Sequence, residues 1–453
     1  MSSSQPRTAT RTLPLLGHAD AHAVAAWRRG EPVTAGEFLA HVRAVAHAMP
    51  DARFVLNACA HRYAFAVTLL AAVLRGQVTL LPASTTRNVI AVLRREAPDA
   101  YWVGDDDTSI DLPRFAWPAA PARVEGGGAF DVPHIAADQV MARIFTSGST
   151  GEPQAHVKTW GGMQADMAAE RARLGVGPAH AILGTVPPQH MYGFESTILL
   201  PLASGAALTD ERLYLPADID SAIRHAPAPR ILFTTPFHLK AWLAGPGTAR
   251  VERIVCATAP LSVELAREAE ARTGAQLFEI YGCTEAGQVA SRRTALAEDW
   301  TLLDGLRLRE SAGQAVVFGG HVEQPTPLQD VIELRPDGRC FVLHGRFADV
   351  VNIAGKRNSL RYLDHQLLAI PGVTDGVFFM PEEDEPDGVT RLTAFVVAPT
   401  LTARDVLAGL RERLDAAFIP RPLHMVETLP RMLTGKIPRE ALRALAARLK
   451  AKP

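Results

Sequence analysis

The apolar run AFAVTLLAAVL at 64–74 stops at Arg75. It falls short of the ~20 residues that a bilayer span needs, and it predicts a buried helix. A short apolar strand, ARFVLNACA, precedes it and a second, QVTLLPAS, follows. Strand, helix, strand is the pattern of a parallel α/β sheet. The same alternation returns in AILGTVPP, a helix through PLASG, and ALTD. It returns again in RILFTTP, helix, RIVCATAP, helix and QLFEIYGCTE. Several of these strands end in Gly, Pro or hydroxyl residues, and open α/β sheets collect ligands at such carboxyl ends. Residues 20–50 read as helical, with a turn at Gly30-Glu31-Pro32.

After about 290 the pattern changes to short strands, AVVFGG, DVIELRP and CFVLHGR, with PDGR (336–339) as a β-turn between the last two. GGGAFDVPH (126–134) reads as a linker-like loop. From 346 the chain becomes a mixed αβ unit of roughly a hundred residues, the size of a small domain. No repeat or low-complexity tract interrupts the 453 residues, a length that suits two or three domains.

Composition narrows the function classes. The chain has 47 basic and 48 acidic residues, a net charge of −1. That balance gives no bulk attraction to nucleic acid or to an anionic membrane. MSSSQPRTATRTLP has no apolar signal core, and a cytoplasmic protein is expected. The four Cys (59, 256, 283 and 340) have no CxxC spacing and read as free thiols.

Four stretches carry chemistry. In IFTSGSTGEPQAHVKTW (144–160), Gly148 and Gly151 allow close backbone approach, and successive N–H groups there form an anion nest. Thr146, Ser147, Ser149 and Thr150 add hydroxyls, but no Gly-Lys-Ser/Thr closes the loop as in a Walker motif. In QLFEIYGCTEAG (276–287), Tyr281 beside Gly282 offers a stacking ring, Thr284 a phosphate hydrogen bond and Glu285 a cation ligand. In the hairpin 329–357, Asp330 and Arg346 are brought near one another and could grip a ribose diol; a surface ion pair is the plainer reading. In LPRMLTGKIPRE (429–440), Lys436 follows Gly435 in a turn, and a solvated lysine is again the plainer reading.

Taken in order, these stretches resemble the adenylate-forming superfamily of acyl- and aryl-CoA synthetases, amino-acid adenylation domains and luciferases. TSGSTGEP resembles its phosphate loop, YGCTE its Tyr-Gly-x-Thr-Glu motif, GRFADVVNIAGKR its hinge and LPRMLTGKIPR its catalytic-lysine motif. VPPQHMYGFE resembles a segment in which His190 borders the acyl pocket, and CATAPLS places Ala259 where the family binds adenine. The resemblance implies a large N-terminal α/β domain with stacked sheets (1–345), a small mobile α+β C-terminal domain (346–453) and a hinge near 346–349.

It also implies a chemistry. ATP and Mg²⁺ would activate a small carboxylic acid to an acyl-adenylate, and a thiol of CoA or of a carrier protein's phosphopantetheine would take the acyl group. Residues 146–151 would hold the β/γ-phosphates, Glu285 the Mg²⁺, Thr284 the α-phosphate and Tyr281 the adenine. Asp330 and Arg346 would hold ribose. Lys436 would reach carboxylate and α-phosphate, and Arg357 would contact phosphate in the second state. His190, Tyr192 and Phe194 could line a pocket for a flat ring, or simply pack at a strand-to-helix junction.

Departures from the family pattern mark particular places. Gln154 stands where the family has a loop lysine, and Lys158 would replace that charge if it lay one helical turn on. Ala348 stands at the usual pivot, with Asp349 next, and Leu328-Gln329 replaces Thr-Gly before Asp330. GEPQ…KTW is similar to compact ligases of aryl-polyene or xanthomonadin-type pathways, which implies an aryl, hydroxyaryl or fatty acid. An amino-acid adenylating enzyme is a second reading, although RILFTTPFHLKAWL (230–243) lacks the acid expected for an α-amine. A catalytically inactive nucleotide-binding homologue is a third.

Overall fold

A computed structural model describes residues 11–82, 84–106, 108–117, 130–147, 153–213, 215–245, 248–346, 350–353, 356–381, 392–432 and 435–450. Two large sheets dominate it. The first orders its strands 153–159, 140–147, 78–81, 54–57, 101–104 and 114–116. All of its pairings are parallel except the first. The second has eleven strands, with a parallel centre built from 276–283, 253–256, 230–234, 181–184, 207–209 and 24–28.

The helix Arg62–Leu74 is buried on almost every face, as its unbroken apolar run requires. Its Phe65, Leu69 and Leu70 share one core with Val55 and Ile144 of the first sheet and Ile182, Ile231 and Val255 of the second. The two sheets are therefore layers on a common apolar filling.

Residues 20–50 are not helical throughout. Val24–Arg28 and Glu31–Thr34 form an antiparallel hairpin, and only Ala35–Ala48 is helix. Arg29 (φ 53°) and Gly30 (φ 80°) supply the two positive-φ positions of a hairpin turn. Ala25 and Ala26 are both fully buried, so the strand lacks the polar–apolar alternation that would have marked it. The helix begins where Thr34 and Glu37 cap each other: Glu37 N–H donates to Thr34 Oγ1 (3.2 Å) and Thr34 N–H donates to Glu37 Oε2 (2.9 Å).

The C-terminal region is a separate unit with its own filling. A three-stranded sheet, Asp375–Phe379, Thr393–Val397 and Leu423–Met425, is joined by helices Leu360–Leu368, Ala403–Arg411 and Arg439–Lys450. Leu363, Leu367, Phe378, Val406 and Leu410 make one core, and Phe379, Phe395, Leu429 and Leu442 a second. The expected 348–349 pivot lies outside the described residues, as do residues 126–129 of the 126–134 loop. All four cysteines are free thiols. No described helix is long and apolar enough to cross a membrane.

Candidate active site

The phosphate-loop segment joins two antiparallel strands, Val140–Ser147 and Pro153–Thr159, with Thr146 opposite Gln154. Gly148, Ser149, Thr150 and Gly151 lie outside the described residues, and of Ser147 only the backbone is described. The chain after the loop is strand rather than helix, because strand pairing persists until Thr159 caps the next helix, Trp160–Leu174, by accepting from Gly162 N–H. At about 3.3 Å per residue, Lys158 stands about 13 Å along from Gln154. The helical-turn placement is thereby overturned.

Strand alternation puts Gln154, His156 and Lys158 on one face. The Nε2 of His156 shares a 2.9 Å hydrogen bond with Thr146 Oγ1 and lies 3.7 Å from Glu285 Oε1. Lys158, nearly buried, donates from Nζ to the Glu285 carbonyl oxygen at 3.2 Å. The lysine therefore serves the turn that carries Thr284 and Glu285.

That turn follows the strand Gln276–Cys283. Gly282 fits there because a Cβ would sit 2.4 Å from the Gly287 carbonyl oxygen. Thr284 is half-buried and Glu285 exposed. Tyr281 is packed edge-on against Trp300 and Phe341, with ring centres 5.8 Å away in each case. Its hydroxyl donates to Asp330 Oδ2 at 2.7 Å. The tyrosine thus fixes the expected ribose carboxylate, a link the sequence did not reveal. Asp330 is paired in register with Arg346, as the hairpin spacing predicts; the side chains of Arg346 and Arg357 lie outside the description. Near Ala259, Thr258 adopts φ 79°, a left-handed conformation uncommon for a β-branched residue and frequent at functional sites.

Lys436 comes to this place from the C-terminal unit. Gly435 (φ 78°) turns the chain, with Met432 N–H donating to the Lys436 carbonyl and Gly435 N–H to that of Met432, both at 2.8 Å. A Cβ on Gly435 would lie 3.3 Å from Phe237 Cβ and 3.4 Å from Thr235 Oγ1, so the turn rests on the end of the strand Arg230–Thr234. Burial, and then the positive charge of Lys436, lowers the His190 pKa to about 3. His190 is consequently a neutral imidazole in the working pH range. Tyr192 donates from its hydroxyl to the Val255 carbonyl (2.7 Å), and Phe194 is core, edge-on to Phe65.

Behind the Glu285 turn lies a group of buried acids that sequence reading missed. Asp166 and Glu170 come from the 160–174 helix, and Glu195 from a π-helical turn, Phe194–Leu199. Burial first, joined for Glu195 by the Asp166 charge, raises all three carboxyl pKa values, that of Glu170 to about 8. The available signal was one acid, the only charged residue in MYGFESTILL. Gly287 (φ 80°) makes room for them, since a Cβ there would come 2.5 Å from Asp166 Oδ2. Gly287→Ala should therefore lower stability by about 2–4 kcal/mol, measured by urea unfolding. An unchanged midpoint would refute this packing.

A cavity of about 620 Å³ lies elsewhere, lined by Arg28, His61, Asp105, Arg114, Trp117 and Asp210, and holds none of the expected site residues. Among the described residues, no three His, Cys, Asp or Glu side chains gather as a metal site. A cation here would rest on the exposed Glu285 carboxylate and on ligand oxygens, the usual manner of Mg²⁺ beside phosphates.

The strand ends thus present a tyrosine-held aspartate and the Thr284–Glu285 turn, and the charge of Lys436, from the C-terminal unit, reaches His190. A family model described as AMP-binding enzyme matches residues 17–318, and the chain belongs to that family. The chain is 32% identical over 318 residues to a 4-coumarate–CoA ligase of Rhodobacter capsulatus, covering 68% of this chain and 77% of the relative. It is 26% identical over 344 residues to a probable 2-succinylbenzoate–CoA ligase of Mycobacterium tuberculosis, covering 70% and 87%. Its fold matches ATP-bound MatB from Rhodopseudomonas palustris with a TM-score of 0.80 at 19% identity, over 95% of this chain and 97% of that one. It also matches the o-succinylbenzoate CoA synthetase of Bacillus subtilis in complex with AMP, with a TM-score of 0.78 at 17% identity, over 94% and 96%.

Proposed function

We propose that the chain activates a small carboxylic acid with ATP and passes its acyl group to a thiol, as an AMP-forming acid–thiol ligase. The observation that supports the residue roles is the positive charge of Lys436, carried by the turn that lies against Thr235 and Phe237, acting on buried His190. In the first half-reaction a carboxylate oxygen attacks the α-phosphorus, and the bond to pyrophosphate breaks. Two anions must approach, so charge neutralisation governs the barrier. Lys436 supplies it between carboxylate and α-phosphate, and Thr284 donates to an α-phosphate oxygen. His190, being neutral, borders the acid without adding charge. Glu285 would hold Mg²⁺, which would neutralise phosphate charge, and His156 orients that carboxylate. Asp330, held by Tyr281, takes the ribose, with Arg346 beside it. The loop 146–151 takes the outer phosphates, and Ala259 borders adenine.

In the second half-reaction a thiolate attacks the acyl carbon, the bond to AMP breaks, and AMP leaves. We assign this step to a state in which residues 346–453 have swung about 346–349, withdrawing Lys436 and engaging Arg357. Two supports are the separate cores and the polar contacts between the units: Lys240 Nζ donates to the carbonyls of Val373 (3.2 Å) and Thr374 (2.8 Å). The relatives named for 4-coumarate and 2-succinylbenzoate favour an aryl acid, and their CoA favours CoA over a carrier protein. Acid-dependent ATP–pyrophosphate exchange across aryl, fatty and amino acids tests the reading. Aryl or fatty acids should support exchange. Exchange only with amino acids, or with no acid, would overturn it.

A further inference from the structure

The turn that carries Lys436 is tied down by a side chain of its own unit. Arg431 meets Asp375 in a two-pronged pair, with Nε donating to Oδ2 at 2.7 Å and Nη2 to Oδ1 at 2.5 Å. Its remaining prong, Nη1, donates to the Gly435 carbonyl oxygen. Asp375 opens the strand Asp375–Phe379, so the turn is fastened to the sheet of the C-terminal unit. The Lys436 carbonyl oxygen is held in turn by Met432 N–H. Both carbonyls that flank the Lys436 Cα are therefore fixed. The two charged side chains are each 18% exposed, and a two-pronged pair held largely out of water keeps its geometry better than a single exposed contact.

The same guanidinium faces the N-terminal unit. Its central carbon lies 5.7 Å from the centre of the Phe237 ring, within reach of a cation–π contact. Phe237 is 45% exposed, an aromatic ring that the core beneath it does not take in. It stands on the helix Pro236–Leu243, three residues before Lys240, so the two side chains share one face. Lys240 holds the carbonyls of Val373 and Thr374, the two residues that lead into Asp375. Burial lowers the Lys240 pKa and the Asp375 charge opposes that fall, so this carboxylate acts on a cation of each unit. One helix face thus receives both halves of the pair: Lys240 beside the start of the Asp375 strand, and Phe237 against the guanidinium of Arg431.

The reach of a lysine ammonium depends on where its Cα stands, because the stem between them is flexible. Displacing a reacting or stabilising group by about 1 Å can cost about 100-fold in rate. An arginine can do three things here at once: its edges serve a carboxylate and a carbonyl, and its flat face lies toward a ring. We infer that Arg431 is a positioning residue, which presets the Lys436 turn on the C-terminal unit and seats it on Phe237 for adenylate formation. The inference rests on the acid-activating function proposed above.

The experiment measures both half-reactions of the full-length enzyme: ATP–pyrophosphate exchange, and thiol transfer from chemically made adenylate. Arg431→Met should lower kcat for exchange by about 30-fold or more, with KM for ATP and for the acid within about threefold. Thiol transfer should stay within about threefold of the unaltered enzyme. Arg431→Lys should remain at least about tenfold down in exchange, because an ammonium can meet Asp375 but has no fork for the Gly435 carbonyl. Asp375→Asn is a gentler second variant, should Arg431→Met fail to fold, and should lower exchange by about tenfold while sparing transfer. A merely structural pair would instead reduce the two half-reactions alike, through the fraction of folded protein. Equal losses in both half-reactions for Arg431→Met and Asp375→Asn would overturn the inference and leave the parent reading standing. Exchange within about threefold of the unaltered enzyme in both variants, or full recovery in Arg431→Lys, would overturn it too. No exchange by the unaltered enzyme with any acid would overturn both.

Discussion

Lys436→Ala should lower adenylate formation by about 10³-fold while leaving thiol transfer from preformed adenylate within about threefold. The asymmetry follows from where the charge is needed. Only the first half-reaction brings carboxylate and phosphate together, and an ammonium between them offsets their repulsion. In the structure its charge is felt by buried His190, and its turn rests on Thr235 and Phe237. Thiol attack places no comparable negative charge there. The check is single-turnover kinetics of each half-reaction, with chemically made adenylate for the second. Equal losses in both would remove the case for a lysine that acts and then withdraws.

Lys158→Met should raise the KM for ATP by about tenfold or more, whereas Gln154→Ala should change it by less than about threefold. Lys158 Nζ holds the carbonyl of Glu285, so its loss frees the turn bearing the proposed α-phosphate donor and cation ligand. It also strips Asp166 and Glu195 of their nearby cation, which should cost about 2 kcal/mol of stability, readable in urea unfolding. Gln154 sits at the loop end of the strand, opposite Thr146, where on the proposed reading backbone donors and a cation would already neutralise phosphate. Kinetics with both variants decide the matter: a larger effect at Gln154 would mean that the loop itself needs the side chain.

The legible parts of the fold were those written in contiguous residues. The apolar run ending at Arg75 gave its helix, and PDGR gave the hairpin that sets Asp330 opposite Arg346. The family was legible because its motifs are short, ordered and rich in glycine. What escaped depends on partners distant in sequence. Val24–Arg28 looks helical until Leu208 and Thr209 pair with it. Lys158 looked like the next turn of a helix because nothing in PQAHVKT announces the strand opposite. Tyr281 read as a stacking ring, and its hydroxyl bond to Asp330 spans 49 positions. The buried acids come from two segments far apart in sequence, Asp166 and Glu170 from one helix and Glu195 from the π-helical turn, and nothing in either segment announces the other.

The grip of Lys240 on the C-terminal unit has an evolutionary corollary. Its two partners are main-chain carbonyls of Val373 and Thr374, which every amino acid supplies. A clasp that reads backbone rather than side chains leaves positions 373 and 374 free to vary, so long as the loop keeps its path. Relatives could then diverge at this seam without a matching change at the lysine, and comparison of sequences for co-varying pairs would pass over a contact that the geometry plainly makes.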